Sequence, residues 1–135
     1  MRFSALALSL TALVAPALAG PVDHHSLAKR IGSDLVKRDG RMTWYNIETG
    51  NEVACSGYYV GTDYVVAMNK PQFQSWDWCG KTLSITYNGI MVNATVVDEC
   101  EGCSAGALDL TESLFKKLSG DLNLGVFYTN WQLLD

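Results

Sequence analysis

Two aspartates hold positions from which a carboxylate can act on a bound ligand. Asp98 closes an apolar run, and Asp109 stands just ahead of a helical pattern that follows Thr111. Side chains at the end of a strand or the start of a helix are held rigidly by the element behind them. A pair of carboxylates can cleave a glycosidic bond when one is a general acid and the other a general base, about 6.5–9.5 Å apart for inversion. Each aspartate also has a purely structural use. Asp109 suits the positive end of a helix, worth roughly 0.3–1 kcal/mol, and Asp98 can hydrogen-bond into the turn between Cys100 and Cys103. Rings able to stack on a sugar face are Trp44, Tyr58, Tyr59, Trp76 and Trp78. Trp44 and Trp131 lie on strand-like segments, which favours the core. Trp76 and Trp78 flank Asp77 in a polar loop, so exposure is expected for both.

The elements that must position these groups are mostly short strands. Residues 42–45 read as a first strand. Residues 64–68 form a continuous apolar run, expected to be a strand buried on both faces. Asn69 can cap a short helical turn containing Pro71 and Phe73. Residues 82–87 alternate, Asn88-Gly89 signals a type I′ turn, and residues 90–97 return, which predicts a hairpin. Thr111 can cap a helix over 112–118 with Leu114, Phe115 and Leu118 as its apolar stripe and Gly120 as its stop. Residues 126–133 read as a last strand. Five or six strands with one substantial helix suggest a small closed barrel, because closure removes sheet edges.

The segment before this domain has a different character. In residues 1–19, Arg2 precedes an apolar run over 6–14 that is too short to span a bilayer, and Ala17-Leu18-Ala19 places small residues for signal peptidase. Residues 20–38 hold His24, His25 and few large apolar side chains, which fits a pro-segment without a core. The pairs Lys29-Arg30 and Lys37-Arg38 look like dibasic processing sites, leaving 39–135 as the mature secreted domain. That part carries five Lys and Arg against twelve Asp and Glu, a formal charge of −7, whereas the whole chain shows −4. An acidic domain gains nothing from phosphate counterion release, so nucleic acid is not an expected partner. A neutral polysaccharide or a basic protein surface fits. No long apolar stretch or basic amphipathic helix follows residue 39, so no membrane partner is expected.

Four cysteines, Cys55, Cys79, Cys100 and Cys103, argue for two disulfides in a secreted chain, with three possible connectivities. A zinc site would need a second close ligand pair, and no histidine follows His25; neither a metal nor another cofactor is expected. Asn93-Ala94-Thr95 is an N-glycosylation sequon, and strand alternation can leave Asn93 outward.

Several separate patterns share one resemblance. They are Gly40-Arg41-Met42-Thr43-Trp44-Tyr45, Ala54-Cys55, Val66-Ala67-Met68-Asn69, and Cys79-Gly80-Lys81 with Ile85-Thr86-Tyr87-Asn88-Gly89. Val96 to Cys103 and the Ala107-Leu108-Asp109-Leu110-Thr111 run with Phe115 and Leu118 complete the set. In this order they resemble the fungal RlpA-like double-psi β-barrel proteins, near the loosenins and single-domain expansin-like proteins of the barwin-like superfamily. Ser56 departs from the glycine that many relatives carry after the cysteine. The resemblance implies a mainly β, single-domain, six-stranded double-psi β-barrel with one or two short helices. It also implies Cys55–Cys79 and Cys100–Cys103 disulfides.

The same resemblance puts Thr43, Tyr45, Asn46, Asp98 and Asp109 in one groove, with Trp76 and Trp78 as stacking candidates. Asp109 matches the expansin aspartate associated with wall loosening, and Asp98 matches the V-x-D aspartate; these two are the candidates for any catalysis. Family 45 glycoside hydrolases and many loosenins carry an aspartate after the opening aromatic pair. Here that position is Asn46, an amide that cannot act as a base. Glu48 lies two residues on and is expected to point elsewhere. The implied function is a secreted, monomeric, non-hydrolytic protein that binds or loosens cell-wall polysaccharide such as chitin, cellulose or a related glycan. Lytic transglycosylase-like cleavage needs only one acid and is an alternative. A protein-binding module, such as a protease inhibitor or a secreted effector acting on a host protein, is another.

The opening motif starts at Gly40, directly after the second dibasic pair. N-terminal sequencing of the secreted protein is therefore expected to begin at Asp39. A start at Gly20 would show that the dibasic sites are not used.

Overall fold

The computed structural model describes residues 40–134. The signal peptide over 1–19, the pro-segment over 20–38 and the start at Asp39 lie outside the described residues. The elements are β1 (Gly40–Tyr45), β2 (Val65–Asn69), α1 (Lys70–Phe73), a single 3-10 turn (Trp76–Trp78), β3 (Thr82–Tyr87) and β4 (Ile90–Cys100). They continue with β5 (Leu108–Thr111), α2 (Glu112–Ser119), a second 3-10 turn (Leu122–Leu124), β6 (Phe127–Thr129) and β7 (Trp131–Leu133).

The strands form one sheet in the order β6-β1-β5-β2-β4-β3-β7. Its two edge strands, β6 and β7, are consecutive in sequence with only Asn130 between them. The first half of this terminal segment pairs antiparallel with β1, and the second half pairs antiparallel with β3. The Thr129 hydroxyl also donates to the Thr86 carbonyl, tying β6 to β3. The sheet is thereby nearly closed on itself, and the strand count is seven instead of six. The single last strand expected over 126–133 is broken because its two halves serve different neighbours.

Period-two alternation supplies the core. Met42, Val66, Met68, Leu83, Ile85, Val96, Leu108 and Leu110 are buried within it. β2 is buried at all five positions, as the continuous apolar run predicts. Helix α2 packs Leu114, Phe115 and Leu118 against the barrel, and Phe115 meets Phe127 with ring centroids 5.0 Å apart. Truncating a ring such as Phe115 costs about 3–5 kcal/mol. Trp131 is buried but keeps its polar handle satisfied, its Nε1 donating to the Gly106 carbonyl at 2.9 Å.

Local signals behave as their chemistry requires, with one exception. Asn88 and Gly89 both take positive φ (49° and 77°), the type I′ geometry between β3 and β4. The Asn69 side chain accepts from Gln72 N at 3.1 Å and caps α1. Gly120 ends α2 in the left-handed region, its N–H donating to Lys116 O at 2.8 Å. Thr111, in contrast, stands at the start of α2 without capping it. Its buried hydroxyl instead donates to the carbonyls of Asp63 and Val65, because Thr111 also belongs to β5 and faces the preceding loop.

Cys55 is bonded to Cys79, and Cys100 to Cys103. The first link closes a loop of 24 residues in sequence, which the loop-entropy description values at about 3 kcal/mol. Gly40 marks another constraint. A Cβ there would lie 1.9 Å from the Gly106 carbonyl oxygen, a backbone atom that cannot step aside cheaply. Gly40→Ala is therefore expected to destabilise the domain by about 3 kcal/mol or more, read as a large fall in the chemical-denaturation midpoint. An unchanged midpoint would show that β1 is not held against the loop before β5.

Candidate functional site

Strand register assembles the site. β1 pairs with β5 so that Thr43 lies opposite Asp109. β5 pairs with β2 so that Asp109 lies opposite Ala67, and β2 pairs with β4 so that Ala67 lies opposite Asp98. Thr43, Asp109, Ala67 and Asp98 thus form one row across four strands. Two inter-strand spacings separate the aspartate backbones, on the order of 10 Å. On β2 the residue between them is Ala67, which is 2% exposed.

Asp98 reaches this row through a register shift. Val66 pairs with Val96 and Ala67 pairs with Asp98, so Val97 is an extra residue in β4. Strict alternation would send Val97 outward and Asp98 into the core. The bulge puts both on the outer side: Val97 packs with Ile47, Val53 and Val65 in a second apolar cluster, and Asp98 lines a cavity there.

The two carboxyl groups have different surroundings. Three donors converge on Asp98: Ala54 N and Glu99 N on Oδ1, each at 2.9 Å, and the Tyr45 hydroxyl on Oδ2 at 3.2 Å. They fix its orientation. The loop supplying Ala54 N is itself anchored, since Cys55 N donates to Val97 O at 2.9 Å and Cys55 is in the disulfide. Asp109 is half-buried and accepts from the Thr43 hydroxyl at 2.6 Å. Burial pushes its carboxyl above the ordinary aspartate value. The Thr43 hydroxyl and the Arg41 guanidinium oppose that rise, and the Asp98 charge adds to it. Tyr45 stands close to both. Burial first, then the Asp98 carboxylate, hold its phenol far above its usual value, so it remains a neutral donor.

Asp98 also lines a cavity of about 430 Å³ together with Ala54, Phe73, Gln74, Ser75, Trp76, Glu99 and Glu101. Trp76 is 68% exposed and stands edge-on to Phe73, with ring centroids 6.0 Å apart. A tryptophan face and a fixed carboxyl group therefore share one cavity. Trp78 does not join them. Contrary to the expectation of exposure, it is half-buried against the core, edge-on to Trp131 at 6.0 Å. The reason is its place at the end of the turn held by Cys79. Trp44 packs on the core as expected, its Nε1 donating to Leu122 O at 3.0 Å. Asn46 is exposed, and its Oδ1 accepts from Glu48 N at 2.8 Å, closing its own loop. Glu48 in turn accepts from Gly61 N at 3.2 Å.

Several participants were not singled out from sequence. Arg41 alternates with Thr43 and Tyr45 along β1, a signal that was present. Glu99 and Glu101 flank Cys100, and Glu101 forms an ion pair with Lys70 at the cavity rim. The Ala54 N–H leaves no sequence signal, because any residue except proline would supply it.

Searched as a whole, the chain matches no family model. It is 39% identical over 83 residues to allergen Asp f 7 of Aspergillus fumigatus, a match covering 59% of this chain and 30% of that protein. The chain thus spans less than a third of that relative. Among solved structures, Streptomyces papain inhibitor superposes with a TM-score of 0.66 at 25% identity, covering 73% of this chain and 94% of that one. The expansin of Clavibacter michiganensis superposes at 0.63 with 35% identity, covering 72% of this chain and 50% of that one. An Asp-to-Asn variant of that expansin has been solved in complex with cellohexaose, at 32% identity to this chain. Cerato-platanin 3 of M. perniciosa shares the fold at 0.57 with 19% identity. These neighbours are double-psi β-barrels, and so is this domain. Putative ripening-related protein 6 of Oryza sativa subsp. japonica is 32% identical over 128 residues, covering 83% of this chain and 77% of the rice protein. That match places this chain in the family of the rice ripening-related protein.

Proposed function

We propose that this domain is a secreted, non-hydrolytic protein of the loosenin or single-domain expansin-like kind. It binds or loosens a cell-wall polysaccharide, chitin, cellulose or a related glycan, through the groove of Asp98 and Asp109. The observation that carries this reading is the in-register row of Thr43, Asp109, Ala67 and Asp98, continued past Asp98 into the cavity beside exposed Trp76. Such a row offers hydroxyl and carboxyl partners to successive sugar hydroxyls, and the ring offers a stacking face. The cellohexaose complex of the related expansin supports a glucan-type ligand. Two disulfides and no free cysteine among the described residues suit an oxidising, extracellular setting.

The site lacks the aspartate that family 45 hydrolases carry after the opening aromatic pair. Asn46 is an amide and its oxygen is engaged by its own loop. Losing a positioned base removes roughly a hundred- to ten-thousandfold in rate, whereas binding depends on contacts that remain. Asp109, with its carboxyl raised, is the group that could protonate a leaving oxygen, which is the form a transglycosylase-like reaction would take. One observation favours a different reading, a protein-binding module. The likeness to Streptomyces papain inhibitor spans nearly all of that protein, so inhibition of a papain-like protease is the assay for it.

Purified protein is expected to release no reducing sugar from cellulose or chitin and to co-sediment with at least one of them. Asp109→Asn is expected to lower that binding about tenfold or more while leaving the circular dichroism spectrum unchanged. Sugar release by the unmodified protein, lost in Asp109→Asn, would show instead that it is an enzyme.

The raised Asp109 carboxyl has its own consequence. Folding favours the protonated form, so its contribution to stability is complete below the ordinary aspartate range. It is lost as pH rises through the raised value. Asparagine imitates the protonated form at every pH and keeps an oxygen for Thr43. Asp109→Asn is therefore expected to melt with the parent protein at about pH 3 and above it at about pH 7. A variant that melts lower at neutral pH would show that the ionised carboxyl is stabilised in place.

A further inference from the structure

The sequon lies on the other end of β4, five residues before Asp98 and roughly 16 Å from it along the strand. Asn93 is exposed, as its place between buried Val92 and Ala94 requires. Its register partner on β3 is Ser84, and the partner of Ser84 on β7 is Gln132. Directly opposed side chains in antiparallel strands have Cβ atoms about 5 Å apart. Asn93, Ser84 and Gln132 therefore make a continuous row on the outside of the barrel.

Beside that row is a cleft of about 230 Å³ lined by Ser84, Thr86, Met91, Thr129, Asn130 and Gln132. Its chemistry is uniform in one respect: hydroxyls and amides, with no charged side chain. The single apolar wall is Met91, which is 68% exposed. Met91 lies two residues before Asn93 on the same strand and so on the same face. A phosphate or carboxylate ligand would find no counter-charge here. An N-acetylhexosamine fits better: its hydroxyls and acetamide match the hydroxyls and amides, and its methyl and ring C–H face match the thioether.

We propose that Asn93 carries an N-linked glycan and that the cleft is the seat of its first two N-acetylglucosamine residues. Asn93 stands one strand away from Ser84, which is 7% exposed at the cleft floor, so the first sugar lies over Ser84 with Gln132 beyond it. The glycan then covers Met91 and bridges β4, β3 and β7, including the strand that closes the barrel. The proposal needs only that the chain pass through an N-glycosylating secretory route, and it is independent of the groove at Asp109.

The test is a coupling measurement on the full chain secreted from a yeast host. Four forms are compared by thermal melting: the parent, Asn93→Gln, Gln132→Ala, and both changes together. Mass spectrometry of the parent is expected to show Asn93 occupied, and Asn93→Gln to melt about 4 °C lower. Gln132 is exposed at the cleft wall, so its removal from the unglycosylated chain is expected to change little. In the glycosylated chain it is expected to cost about half of the glycan's stabilisation. An unmodified Asn93, or a glycan increment identical with and without Gln132, overturns the proposal. So does stabilisation of Asn93→Gln by free diacetylchitobiose at a cleft that the attached glycan leaves uncoupled, because the cleft would then serve a soluble ligand.

Discussion

One additional residue in β4 decides what the outer face of this barrel can do. Because Val97 has no partner on β2, every side chain beyond it in β4 is turned over relative to the alternation before it. Val92, Ala94 and Val96 are core, and Asp98 is not. Without that shift a carboxyl group would be directed among buried aliphatic side chains, at a cost of several kcal/mol. With it, the same group becomes the meeting point of a strand row and a cavity. The shift also frees Val97 to seat the long loop between β1 and β2, whose Ile47 and Val53 pack on it.

That loop is held by three unlike devices. The apolar cluster supplies burial, the Cys55–Cys79 bond supplies a covalent stop, and the Cys55 N–H to Val97 O bond sets the register. Together they bring the Ala54 N–H onto Asp98. A small domain has little core to spare for fixing a loop of this length, and the disulfide offsets that shortage. The acidic rim is arranged in a similar way: Glu101 sits inside the tight Cys100–Cys103 turn and is met by Lys70 from α1.

How far the residues alone disclose this depends on whether the property is local. The hairpin, the buried β2, the α2 stripe and the cap at Asn69 follow from chemistry within a few residues, and each was legible. Asp109 was legible as a candidate through its motif, and the β1–β5 register sets it opposite Thr43. Asp98 was legible as a residue of interest, but its direction was not, because a bulge depends on pairing with a distant strand. Trp78 shows a similar limit. A polar loop argues for exposure of both tryptophans, yet the turn into Cys79 rotates one of them onto Trp131. Thr111 holds the cap position of α2, but its hydroxyl is taken by carbonyls of residues some 46 and 48 positions earlier. The split of the final strand escaped for the same reason, since each half is defined by its partner.

The junction at Asn130 sets an order on how the molecule can be made. β1 and β3 are the strands that would be left as open edges, and both are covered only by the last two strands of the barrel. During synthesis the ring must wait, half-wrapped, until β6 and β7 have emerged from the ribosome. Pairings this remote in sequence are slow to form. The cysteine pair Cys55 and Cys79 lies wholly within the part of the chain made before β6 and β7. An exposed, unpaired β1 is also the kind of edge that invites pairing with a second chain.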